Sequence, residues 1–112
     1  PNHEIKALCV VHNETSTGST SRIDEIRKAM DAAGHPALLM ADCIASLGCD
    51  VFEMDAWGVD VMVTGCQKGL MVPPGMAFVF FNEKAADARA KMLRVSRYWD
   101  WVPRANPEEF FM

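Results

Sequence analysis

Three short stretches of the chain carry side chains able to do chemistry together. They are the hydroxyl string Thr15-Ser16-Thr17, the carboxylate Asp42 directly after an apolar run, and the amine of Lys68 between Gly65 and Gly69. A lysine amine can condense with an aldehyde to an imine, and the same amine, once freed, can take and return a proton. A carboxylate can hold a ring nitrogen in its protonated form, and hydroxyls can donate to phenolic or phosphate oxygens. Each residue also has an ordinary alternative: Lys68 as a solvated loop lysine, Asp42 as a helix cap, and Ser16, Thr17 and His12 as residues that end a strand and order a loop.

Such groups need elements that bring them together. Residues 5–11 are an apolar run whose Ala-Leu-Cys-Val-Val core suits a strand buried on both faces, and it ends at His12-Asn13-Glu14-Thr15-Ser16-Thr17-Gly18. Ser21 followed three residues on by Asp24 is a capping signal; Ile23, Ile26, Ala29, Met30 and Ala33 then recur at helical spacing before Gly34. After His35-Pro36, residues 37–41 form a second buried strand that finishes on Asp42, completing a βαβ unit. Residues 60–64 repeat the pattern after a turn at Asp55-Ala56-Trp57-Gly58, and lead into Gly65-Cys66-Gln67-Lys68-Gly69. Residues 65–76 are rich in Gly and Pro and too irregular for a standard crossover, which leaves the next strand, 77–81, free to run antiparallel. Asn82 can cap a helix over 83–93, and Tyr98-Trp99-Asp100-Trp101-Val102-Pro103 reads as an aromatic loop. The expected fold class is α/β, a mostly parallel sheet with helices on both faces.

Composition narrows the function. Half of the 112 residues are hydrophobic and 23% are charged, which is the bulk of one globular domain and not of two. Eleven Lys and Arg against fifteen Asp and Glu leave a net charge of −4, a poor match to a phosphate backbone, so no nucleic-acid partner is expected. No apolar run approaches the roughly 18 residues of a membrane span, and Pro1-Asn2-His3-Glu4 lacks the regions of a signal peptide. The expected setting is intracellular, cytoplasmic with the peroxisome as the alternative. Cys9, Cys43, Cys49 and Cys66 are irregularly spaced and read as reduced thiols. His3 and His35 have no partner at ligand spacing, so no metal is expected. The methionines at 30, 40, 54, 62, 71, 76, 92 and 112 read as core filling, Trp57 as packing a turn, and Trp99 and Trp101 as docking at a surface. A start without Met and the apolar end Glu108-Glu109-Phe110-Phe111-Met112 suggest a piece of a longer protein.

In an open α/β sheet, ligands gather outside the carboxyl ends of the parallel strands, where all three chemical stretches fall. An amine, a carboxylate and hydroxyls facing one crevice are what a pyridoxal phosphate site needs.

The motifs His12-Asn13-Glu14-Thr15-Ser16-Thr17-Gly18, Ala41-Asp42-Cys43-Ile44-Ala45-Ser46-Leu47-Gly48, Trp57-Gly58-Val59-Asp60 and Gly65-Cys66-Gln67-Lys68-Gly69-Leu70, with Pro73-Pro74-Gly75, occur in that order. In them the chain resembles the class V aminotransferases, within the fold-type-I pyridoxal phosphate enzymes, and most specifically the alanine–glyoxylate and serine–glyoxylate aminotransferase group. The resemblance covers nearly the whole chain. It implies that residues 1–112 are part of the large, cofactor-binding domain, with the small C-terminal domain and the N-terminal segment absent. It implies Lys68 as the Schiff-base lysine, Asp42 as the partner of the pyridinium nitrogen and Thr15 as the hydroxyl on the phenolic oxygen. Gln67 becomes a polar contact near the phosphate or ring edge. Ile44 would pack on one face of the ring, with a plain core role as the equal alternative. Cys66 stands where the family usually has a phosphate-binding Ser; a thiol is a weak donor, so the phosphate grip is looser there or rests on backbone N–H groups. Cys43 likewise replaces a usual Thr or Ser.

The activity so implied is transamination between an α-amino acid (serine, alanine or aspartate) and glyoxylate or another 2-oxo acid, in a parent protein that is a homodimer. The family's substrate-carboxylate clamp lies outside this piece, so the chain alone is expected to transaminate weakly or not at all. The alternatives are another class V reaction, such as that of a cysteine desulfurase or a lyase, and a catalytically silent α/β interaction module.

Overall fold

The computed structural model describes residues 4–105. The expectations for His3, Met112 and the apolar stretch 108–112 fall outside these residues. The elements are β1 (Ala7–Val11), β2 (Asn13–Glu14), β3 (Ser19–Thr20), α1 (Ile23–Ala32), β4 (Leu38–Asp42), β5 (Val61–Gly65), β6 (Ala77–Phe81), α2 (Glu83–Ala90) and α3 (Val102–Ala105). β1, β4, β5 and β6 form one sheet in that order. The first three strands are parallel, and β6 runs antiparallel to β5, as the irregular connection allows.

Side chains alternate across a strand, so Leu39, Ala41 and Cys43 share one face, with Met62 opposite Ala41 in register. All four are buried, and Ile23 and Met30 of α1 pack against them with Val59. Leu38 points the other way, and with Ala7 it lines a groove whose far wall is α2. Helices therefore stand on both faces.

Glycine and asparagine mark the helix boundaries as their chemistry requires. Gly34, at φ +60°, takes the left-handed turn after α1, while the His35 N–H donates to the Met30 carbonyl at 2.9 Å. The Asn82 side chain accepts from the Ala85 N–H and starts α2.

Four local expectations are corrected. Arg22, not Ser21, occupies the N-cap of α1, with no side-chain cap bond. The Ser21 N–H is already committed to the His12 carbonyl, and Asp24 and Glu25 supply negative charge to the first turn. The polar string after β1 is no simple loop: Asn13–Glu14 and Ser19–Thr20 pair as a small antiparallel hairpin, closed at Gly18 with φ +71°. α2 ends at Ala90, short of 93, and Leu93 is fully exposed. Within the aromatic loop, Asp100 accepts from the Val102 N–H and nucleates the single turn α3.

The methionines divide. Met30 and Met62 are buried, but Met71, Met76 and Met92 are exposed and fill no core. Trp57 meets Phe52 edge to face, and Trp101 stacks on Phe81 of its own chain at 4.8 Å. All four cysteines are free. Among the described residues no helix is long and apolar enough to cross a membrane, and no group of His, Cys, Asp or Glu could hold a metal.

Candidate active site

Strand register sets the site. Val11 pairs with Asp42, and Asp42 pairs with Val63, so β1 and β4 end level while β5 runs two residues further, to Gly65. Past those ends the His12 N–H donates to the Asp42 carbonyl and the Cys43 N–H to the Val63 carbonyl, each at 2.9 Å. The three chemical stretches thus leave the sheet from the same edge.

Asp42 is half-buried and lines a shallow cavity with Cys9, Val11, Met40 and Val63. One carboxylate oxygen, Oδ1, accepts from the Ile44 N–H at 2.9 Å. The other has no partner among the described residues. Ile44 itself is exposed.

Lys68 is exposed, and its amine has no partner among the described residues. Its loop is nevertheless fixed. The Lys68 carbonyl accepts from the N–H of Met71, which holds the left-handed φ of +57°. Gly69 lies against the backbone of Leu47 and Gly48, and Gly48, at φ +82°, meets the Gly69 carbonyl in return. A side chain at either position would separate the two loops, so the Lys68 loop rests backbone to backbone on the loop that follows Asp42. Sequence reading took these glycines only as loop markers.

The remaining predicted residues divide by what they already bind. Glu14 accepts from the N–H and the hydroxyl of Ser16, at 2.9 and 2.8 Å, and these bonds hold its carboxyl below the usual range. Thr17 is bonded to Ser19. Thr15, exposed in the same turn, keeps a hydroxyl without a partner among the described residues. Gln67 is exposed, with its Oε1 folded back over Gly65. Cys66 is buried, and its thiol donates to the Pro73 carbonyl at 3.1 Å. That bond occupies the thiol's one proton and ties the two ends of the Gly- and Pro-rich loop.

Two polar residues beneath the site were not assigned a role in it. His12 is buried, and its Nδ1 lies 2.8 Å from the hydroxyl of buried Ser46. Burial pushes the nearby Cys43 thiol up to about 11, against the opposing effect of its bond with Ser46. The signal for His12 was its phase: it follows Leu8 and Val10 at strand spacing, on the face that carries the core.

The family model described as Aminotransferase class-V matches residues 2–104. The chain is 46% identical to the serine–glyoxylate aminotransferase of Methylorubrum extorquens, over 98% of this chain and 29% of that protein. It is 55% identical to the L-aspartate–glyoxylate aminotransferase of Paracoccus denitrificans, over 77% of this chain and 22% of that protein. The crystal structure of alanine–glyoxylate aminotransferase from Nostoc superposes with a TM-score of 0.80 at 29% identity, covering 90% of this chain and 27% of that one. The chain therefore spans 22–29% of the length of these relatives.

Proposed function

Because the chain belongs to the class V aminotransferases, we propose that it is the cofactor-holding part of an enzyme that passes an amino group from an α-amino acid to a 2-oxo acid. Serine, alanine or aspartate is the donor and glyoxylate the leading acceptor, in line with the activities for which its relatives are named. One observation carries the reading. An amine and a carboxylate oxygen that are uncommitted among the described residues, those of Lys68 and Asp42, follow adjacent parallel strands at the same end of the sheet, on loops packed together at Gly69 and Leu47.

This donor set suits pyridoxal phosphate. When bound, that cofactor supplies an electron sink for the pair left behind when the substrate loses its α-proton. Lys68 would hold the cofactor aldehyde and, once displaced by substrate, move the proton from the α-carbon. The open oxygen of Asp42 would accept from the ring N–H and keep that nitrogen protonated, while Ile44 N–H holds the other oxygen still. Thr15 would offer its hydroxyl to the phenolic oxygen, Gln67 a polar contact at the ring edge or phosphate, and Ile44 an apolar surface for the ring. With its proton on Pro73, Cys66 supports a phosphate by shaping its loop and not as a donor. The parent protein is read as a cytoplasmic homodimer, with the clamp for the substrate carboxylate outside these 112 residues.

Borohydride trapping tests the reading. The chain is mixed with pyridoxal phosphate and reduced, and the modified lysines are mapped by peptide mass spectrometry, with Lys68→Ala as control. Labelling of Lys68 above Lys6, Lys28, Lys84 and Lys91 is the expected result. Labelling spread evenly over all five would favour the silent module.

A further inference from the structure

His12 ties the carboxyl end of β1 to the turn that begins at Asp42. Its N–H donates to the Asp42 carbonyl at 2.9 Å, and its own carbonyl accepts from the Ser21 N–H at 2.8 Å. Its ring meets Phe52 and Trp57 edge to face, at 5.3 and 5.9 Å between centroids, which fixes the plane of the imidazole. Nδ1 then reaches Ser46 at 2.8 Å. Ser46 lies in the turn at 42–47, where the Ser46 and Leu47 N–H groups both donate to the Cys43 carbonyl, and the Thr64 hydroxyl donates to that same oxygen at 3.2 Å. Within this turn the Ile44 N–H holds Asp42 Oδ1.

A His–Ser pair at this distance is also the arrangement of a base and its nucleophile. Here both side chains are at least 97% buried, so no substrate reaches the hydroxyl. A polar pair sealed in this way rigidifies what it connects.

We propose that His12, acting through Ser46, is a positioning residue that sets the rotation of the Asp42 carboxylate. The ring anchors Ser46, Ser46 anchors the end of the turn, and the turn places the Ile44 N–H that orients Oδ1 and leaves the other oxygen open. The functional meaning of this clamp rests on the reading of Asp42 as partner of a ring nitrogen; the clamp itself does not.

The test follows the backbone amide of Ile44 by NMR through a pH titration of the cofactor-free chain, in wild type, His12→Ala, Ser46→Ala and His12→Asn. In wild type this amide shifts as Asp42 protonates, because it donates to that carboxylate. The shift is expected to be lost in His12→Ala and Ser46→Ala and restored in His12→Asn, whose amide can replace Nδ1. The Val61 and Val63 amides, in β5, are expected to keep their wild-type positions, which a general loosening of the fold would not allow. Should His12→Ala fail to fold, Ser46→Ala carries the test, since it removes one hydroxyl and nothing else. A full Ile44 shift in a folded Ser46→Ala overturns the proposal. Trapping of pyridoxal phosphate is run on the same variants. If the Ile44 shift is lost while trapping at Lys68 is unchanged, the clamp stands and the cofactor role of Asp42 falls.

Discussion

Gly69 and Leu47 meet backbone against backbone, so closely that a Cβ on Gly69 would overlap the Leu47 carbonyl oxygen and stand 2.9 Å from the Cys49 sulfur. Two loops separated by a whole strand are joined there without any side chain. Gly69→Ala is expected to force them apart at a cost of about 1–3 kcal/mol, each kcal/mol lowering Tm by about 4–8 °C, and to abolish the preference for Lys68 in aldehyde trapping. Gly34→Ala is the control: it strains a left-handed backbone but meets nothing within 4 Å, and should leave trapping selective. Selective trapping in a folded Gly69→Ala chain would show that the contact does not hold the lysine.

A second prediction concerns Asp60, buried at the amino end of β5. Its Oδ2 accepts from the Leu39 N–H at 2.8 Å and from Lys84 at 3.3 Å, with Arg27 at 3.8 Å, while Oδ1 accepts from Asn82 at 2.9 Å. Asp60→Ala strips three donors of an acceptor and Arg27 of a charge partner, and Arg27 already has a buried Nε without a partner among the described residues. The expected loss is about 3–5 kcal/mol by urea unfolding. Asp31→Ala, which removes the exposed partner of Arg27, should change stability little. Equal effects from the two would mean that the Asp60 network contributes nothing special.

Alkaline pH should act through Cys43. Its thiol is pushed by burial from 9.0 up to about 11, so the unfolded chain ionises first as pH rises. The stability it contributes is complete below pH 9 and falls away between pH 9 and about pH 11. Cys43→Ala should flatten that part of the curve, measured by urea midpoints at stepped pH. At pH 8 a thiol reagent should modify exposed Cys9 and Cys49 well before Cys43 and Cys66.

Acid should act through Asp100. The side-chain bonds of Arg89 hold its carboxyl below 3.8, helped by the Val102 N–H. A carboxyl lowered on folding stabilises above its unfolded value and loses that contribution as pH falls through the folded one. Asp100→Asn should therefore remove an acid-side loss of stability that wild type shows below about pH 4. It should also release α3, read as loss of amide protection at Arg104 and Ala105, which bond to the Trp101 carbonyl.

How far the sequence alone reached depends on where the determining contacts lie. The four main strands were legible because each is a continuous apolar run, and Gly34 and Asn82 because a turn or cap of that type requires them locally. The places of Asp42 and Lys68 in the chain, past the ends of two such runs, were legible for the same reason. The hairpin of β2 and β3 was not, since two-residue strands carry no periodicity and depend on pairs such as Asn13 with Thr20. Ser21 stands one residue before the N-cap, which Arg22 occupies without a side-chain bond. The support under the site lay equally out of reach. Gly69 meets Leu47, and His12 meets Ser46, across long stretches of chain, and nothing in a lone serine or glycine announces its partner.

The direction of the strands also bears on how the sheet assembles. β5 and β6 are antiparallel neighbours in sequence and can zip together directly, whereas β4 must find β1 and β5 across parallel crossovers that close longer loops. Lys68 belongs to the quick half and Asp42 to the slow one. If the antiparallel pair forms first, the Lys68 loop is set before β4 brings Asp42 to the same end of the sheet. On the proposed reading of Lys68 as the imine-forming lysine, the moment at which it began to outcompete the other lysines for an aldehyde would be a clock for the parallel pairing, readable with no probe beyond the aldehyde itself.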